Sequence, residues 1–191
     1  MSQVVYNLMN GSTLRCMVPP TTPGGGAYGN ASLPLGLAGQ GMYIMVNIDT
    51  NNRYAGISTD LTQRFNTRLA TVTEMGFSEQ EMEKIWLFWG AVATQNTPGY
   101  LGNNNPQFVM VTDYSAPLVV NVDGVGINLE KLLIRFLLLH LGAGGTVSNN
   151  LLAWGPYVNP TASNISVTLN WPAGYFNTTT SSAVWQSGQA W

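Results

Sequence analysis

Four residues of the 191-residue chain stand out for the chemistry that their types and spacing allow: Tyr43, Tyr54, Arg64 and Glu130. A phenol has an unperturbed pKa of about 10 and is a poor base at neutral pH. A neighbouring metal ion or guanidinium favours phenolate and turns it into a proton acceptor. A guanidinium offers a planar fork of donors that suits a phosphate oxygen gaining charge. A carboxylate supplies the oxygen ligand that a hard divalent ion needs, and Mg²⁺ keeps most of its waters and bridges to phosphate. The set therefore describes phosphate chemistry. Each residue also has a plainer reading. The tyrosines can be sheet aromatics in a core, Arg64 and Arg68 can line a solvated helix face, and Glu130 can complement a helix start. Gly56 can be an ordinary turn glycine.

The elements that must position them follow from pattern. Residues 42–48 are large and apolar and read as a strand; 49–52 make a turn, and 53–57 return as the second strand of a hairpin. Tyr43 and Tyr54 then sit on neighbouring strands, with Gly56 at the end of the second. Ser58 or Thr59 can cap a helix over about 60–75, whose stripe is Leu61, Phe65, Leu69 and Val72. Arg64 lies in its second turn and Arg68 one turn on. Ser78 with Glu81 reads as a capping box for a helix over about 79–93, with Ile85, Trp86, Trp89 and Val92 as its apolar side. Asn128 can cap a helix over about 128–141 with Leu129, Leu132, Leu133, Phe136 and Leu137 inward and Glu130 in its first turn; His140 reads as a capping or buried histidine.

Shorter strands are expected over 4–8, 13–18, 107–112, 118–122 and 164–169, the pair 107–112 and 118–122 forming a second hairpin. The Pro- and Gly-rich 19–40 stretch reads as a long loop or arm. The sum is an α+β fold: a small, mostly antiparallel central sheet flanked by helices. The division is an N-terminal segment 1–40 of strands and arm, a central domain 41–150 with an insertion at about 76–126, and a neutral, β-rich C-terminal extension 151–191 packed on it. The rival, an all-β binding domain, conflicts with three amphipathic helical segments.

Charge narrows the partners. Only 8% of residues are Asp, Glu, Lys or Arg, against about 25% in an average soluble domain, and the net charge is −2. Bulk electrostatics therefore does not hold nucleic acid here. Both ends are almost uncharged and aromatic, which suits packing against the chain itself, a protein partner or a second copy. Cys16, the single cysteine, reads as a small hydrophobe. No basic region followed by an apolar stretch marks a signal peptide. The apolar run 132–141 is too short to span a bilayer.

In this context the chain resembles the GIY-YIG nuclease family. The first signature stands as Gly41, Met42, Tyr43, Ile44, and the second as Tyr54, Ala55, Gly56. The segment 57–64 looks like the family's strand–helix segment and ends on Arg64 as its catalytic arginine. The segment 128–134 is similar to the family's helix with its metal-binding glutamate, here Glu130. Asn149 or Asn150, the second being preferred, matches the late asparagine that supports the site. The likeness covers about residues 41–70 and 128–150. Ala55 replaces a branched residue, and Arg68 stands where many members carry a histidine.

The resemblance implies a metal-dependent endonuclease that hydrolyses a DNA phosphodiester. Tyr54, or a metal-bound water linked to it, would activate the attacking water, Tyr43 would orient that network, Arg64 would stabilise the phosphate's charge, and Asn150 would support the site. Gly56 and Arg68 would contact substrate, and Glu130 would hold Mg²⁺ or Mn²⁺. With no basic tract, DNA would be recognised through insertion loops or a partner. The alternative is a catalytically inactive GIY-YIG-like scaffold that binds protein or nucleic acid. A cytoplasmic role in repair, recombination or restriction is expected, or delivery to a target cell as a toxin with a neutralising immunity protein in the producer.

Overall fold

The computed structural model describes residues 1–13, 38–68, 84–140, 146–147, 149, 155–173 and 179–191, with the backbone alone for 66–68. Ten strands and two helices are placed among them: β1 (Ser2–Thr13), β2 (Gly41–Asn47), β3 (Asn52–Ser58), α1 (Leu61–Arg68), β4 (Ile85–Gln95), β5 (Val109–Met110), β6 (Val119–Val122), β7 (Val125–Asn128), α2 (Leu129–Leu139), β8 (Thr146–Val147), β9 (Ile165–Asn170) and β10 (Thr180–Trp185). The class is α+β, with a dominant sheet and few helices.

Eight strands form one sheet in the order β10-β9-β1-β4-β2-β3-β8, with β5 added to β4. Pairing is antiparallel except for β1 with β9 and β3 with β8. The expected hairpin is present: β2 pairs with β3, placing Tyr43 opposite Gly56 and Met45 opposite Tyr54.

The expected helix over 79–93 is overturned where it is described, because residues 85–95 form β4. This strand lies in the middle of the sheet between β1 and β2. It is almost wholly buried on both faces, so its side chains are apolar without alternation. Three further readings are corrected. The strand expected over 4–8 is longer, running as β1 from Ser2 to Thr13 with a register shift between Leu8 and Asn10 against β4, and all of the strand expected over 13–18 beyond Thr13 lies outside the described residues. An extra residue of this kind kinks a strand without ending it. Of 107–112 only Val109 and Met110 pair, and they pair with β4. The partner of β6 is β7, joined through Asp123 and Gly124, both at positive φ (49° and 82°). That is the backbone a two-residue hairpin loop requires.

The two helices lie on opposite faces of the sheet. Met42, Ile44 and Val46 of β2, Ala55 and Ile57 of β3, Phe88 and Val92 of β4, and Val4, Tyr6 and Leu8 of β1 share one core with α2. The alternate residues Tyr43 and Met45 face the other way, as do their cross-strand partners Trp89 and Leu87. There Tyr43 meets Phe65 of α1.

Both helices start at the same end of the sheet. Met42 pairs with Gly90, and Tyr6 pairs with Val92, two residues further on. From there the Tyr6 hydroxyl donates to the Leu129 carbonyl (2.8 Å) at the start of α2. At that end Gly41 pairs with Ser58 just before α1. Asn128 caps α2 as expected, its Oδ1 accepting from Lys131 N–H (2.8 Å). The cap of α1 is Asp60 rather than Ser58 or Thr59: Asp60 Oδ1 accepts from Gln63 N–H (2.9 Å), and the Ser58 hydroxyl closes the turn before it.

Candidate functional site

Tyr43 is built into the α1 face. Its ring is 1% exposed. It contacts Phe65 edge-on at 4.9 Å between centroids and stacks beside Tyr54 at 6.3 Å and 24°. The ring lies over Gly56, where an added Cβ would come within 2.6 Å of the Tyr43 hydroxyl oxygen and 2.7 Å of Cζ. The missing side chain of Gly56 is thus the space that holds the Tyr43 phenol. Tyr54 is half-buried, on the same face, and Arg64 is half-buried in α1. Tyr43, Tyr54, Gly56 and the helix that carries Arg64 are brought together, as the sequence leads one to expect.

Of the two asparagines that the resemblance offers for its late position, Asn149 is described. Asn149 Oδ1 accepts from Ala55 N–H (2.9 Å), and its Nδ2 donates to the Ala55 carbonyl (2.8 Å). A side-chain amide thereby pairs with the β3 backbone as a further strand would, between Tyr54 and Gly56. Asn150 lies outside the described residues, as do the side chain of Arg68, the chain over 69–83 and most of the arm.

Glu130 is not on the tyrosine face. It is half-buried in the first turn of α2, which is held to the opposite face. Three hydrogen bonds fix that turn: Tyr6 hydroxyl to Leu129 carbonyl, Leu129 N–H to Leu118 carbonyl (2.9 Å), and Asn128 N–H to Tyr157 hydroxyl (2.7 Å). Burial pushes the Tyr6 phenol well above its ordinary pKa, with Tyr157 adding to it, so both phenols stay neutral and the turn keeps its bonds at neutral pH. Because α1 and α2 start at the same end of the sheet, Glu130 and Arg64 both lie toward that end, on opposite faces.

As a metal ligand Glu130 is a single carboxylate. Among the described residues no three His, Cys, Asp or Glu side chains are grouped. A donor set of one carboxylate fits a hard ion such as Mg²⁺ or Mn²⁺, which takes its other ligands from water and phosphate. His140 caps α2, its ring against Phe136 and Nδ1 3.0 Å from the Phe136 carbonyl oxygen. Among the described residues no helix is long and apolar enough to cross a membrane.

Sequence reasoning passed over one part of this end of the molecule. A groove of about 290 Å³ opens between β5 and β6, lined by uncharged residues that include Thr94, Asn96, Gln107 and Asn121. Its sequence signal was the Asp123–Gly124 pair, a strong hairpin marker that joins β6 to β7. No protein-family model, curated protein or solved structure matches the chain.

Proposed function

We propose that the chain is a metal-dependent endonuclease of GIY-YIG type that hydrolyses DNA phosphodiester bonds. The observation that carries the reading is the Tyr43 ring seated on Gly56 beside Tyr54, at the foot of the helix bearing Arg64. Tyr43 is buried and orients; Tyr54, which reaches solvent, or a water linked to it, activates the attacking water. Arg64 donates to the phosphate oxygens as they gain charge. Asn149 holds the strand between Tyr54 and Gly56 in place. Glu130 is the residue that would hold Mg²⁺ or Mn²⁺, and the chemistry supplied there is screening of the phosphate and assistance to the departing oxygen.

Plasmid nicking with Mg²⁺ or Mn²⁺ tests this. Wild type cuts, whereas Arg64→Ala and Glu130→Ala each lose about 100-fold or more, the usual effect of removing a transition-state donor. Unchanged metal-dependent cutting by Glu130→Ala would remove Glu130 from the mechanism. A second reading is favoured by the position of α2: a scaffold of the same architecture that binds protein or nucleic acid without cutting. It gains if the folded wild type shows no nicking with either metal.

A further inference from the structure

We propose that the groove between β5 and β6 is a subsite for an unstacked nucleobase. The inference rests on the DNA reading above and supplies what that reading lacks, a means of holding a strand in a chain with so little positive charge. β5 sits on β4 with Thr94 opposite Val109, and β6 belongs to the separate β6–β7 hairpin. None of the residues lining the groove is charged, which argues against a phosphate as its occupant.

The polar groups in it are held in fixed directions. Asn96 Oδ1 accepts from Asp123 N–H (2.8 Å), and Asn121 Oδ1 accepts from Gly124 N–H (2.9 Å). Asp123 in turn accepts from Thr97 N–H (2.7 Å) and the Thr97 hydroxyl (2.6 Å). Both amide oxygens therefore serve the turn, and among the described residues no bond uses either NH₂ group. Two side-chain amides in the lining whose oxygens are fixed and whose NH₂ groups can donate, with Gln107 able to donate or accept beside them, suit the ring carbonyls of a base such as thymine.

The rest of the lining is Val and Met, and the nearby Phe108 and Val119 are 48% and 53% exposed. Apolar surface beside fixed hydrogen-bonding groups accepts the face and the edge of a flat heterocycle together. Position supports the same ligand. Thr94 lies four residues past Gly90 along β4, in the direction of the sheet end where both helices start. That is roughly 14 Å of strand. A single DNA strand passing that end would reach both places.

The test uses Asn96→Asp and Asn121→Asp, which keep the oxygen that the turn needs and remove the NH₂ donors. Side-chain amide signals of Asn96 and Asn121 are followed by ¹H–¹⁵N NMR on adding thymidine, oligothymidylate, and an abasic deoxyribose-phosphate oligomer of equal length. Thymidine and oligothymidylate shift both signals, and the abasic oligomer does not. In the double variant, affinity for oligothymidylate falls at least tenfold and more than for the abasic oligomer, since the added charges repel both alike. Unmoved amide signals, equal losses for the two oligomers, or shifts produced by a neutral extended peptide and not by thymidine would overturn the proposal. Nicking that persists without an amide response removes the subsite alone. An amide response in a protein that does not nick removes the nuclease reading alone.

Discussion

Replacing Gly56 by alanine tests whether the Tyr43 phenol needs the space above β3. The added Cβ would sit 2.6 Å from the hydroxyl oxygen, 2.7 Å from Cζ and 3.0 Å from Cε1. The ring has little room to retreat, being buried between Phe65 and Tyr54. Overpacking of this kind costs about 1–3 kcal/mol. The backbone at Gly56 is not in the left-handed region, so alanine also brings the usual gain of about 0.4–1 kcal/mol from a stiffer unfolded chain. The net runs from near zero to a loss of about 2.5 kcal/mol, or up to roughly 10 °C in Tm for a domain of this size. Denaturation of Gly56→Ala, Tyr43→Ala and the double variant gives the coupling. With the ring gone, Gly56→Ala becomes neutral or stabilising, and near-ultraviolet dichroism of Gly56→Ala reports the displaced tyrosine. An equal loss in both backgrounds would refute the reasoning, because the cost would then not come from Tyr43.

Two further outcomes concern Asn149 and the buried phenols. Asn149→Ala leaves both polar groups of buried Ala55 without their partner, at about 1–3 kcal/mol; amide exchange at Ala55 speeds up, and nicking falls with it if β3 positions the site. The phenols of Tyr6, Tyr114 and Tyr157 contribute an alkaline limb to stability, because burial raises their pKa values. The native state holds these protons more tightly than the unfolded chain, so stability is full below about pH 10 and falls as pH rises past it toward the native values. Tyr6→Phe makes that fall shallower in urea titrations between pH 8 and 11, while losing about 1 kcal/mol at neutral pH with the bond to Leu129.

The parts legible in the sequence were those whose signals are local. The β2–β3 hairpin showed as two runs around a polar turn, and Asn128 with an apolar stripe announced α2. The proximity of Tyr43, Tyr54 and α1 followed from these alone. β4 was misread because both its faces are buried: an unbroken apolar run contains helical spacings as readily as strand ones. Its enrichment in Ile, Trp, Phe and Val, with Gly90 inside, was the better guide. The layer on which α2 lies was not legible, because it depends on which alternate residues of β1, β2 and β4 face it. The seating of Tyr43 on Gly56 is likewise a contact between strands that neither short motif encodes. Asn149 and Asn150 are equivalent in sequence, and only the fold brings Asn149 to Ala55.

The strand order also governs how the chain can come together during synthesis. β1 is made before both of its neighbours, β4 and β9, with Ser2 opposite Ile165. The β2–β3 hairpin is local and can form as soon as it emerges, whereas β1 must wait for two partners encoded far downstream. Contacts of such long sequence separation close slowly. Until residues 165–170 arrive, one edge of β1 remains unpaired, along a strand whose inward side chains are Val4, Tyr6 and Leu8. An open edge of this kind is a template for pairing with another chain. A ribosome-bound or C-terminally truncated product therefore exposes an aggregation-prone edge that the finished protein covers with β9.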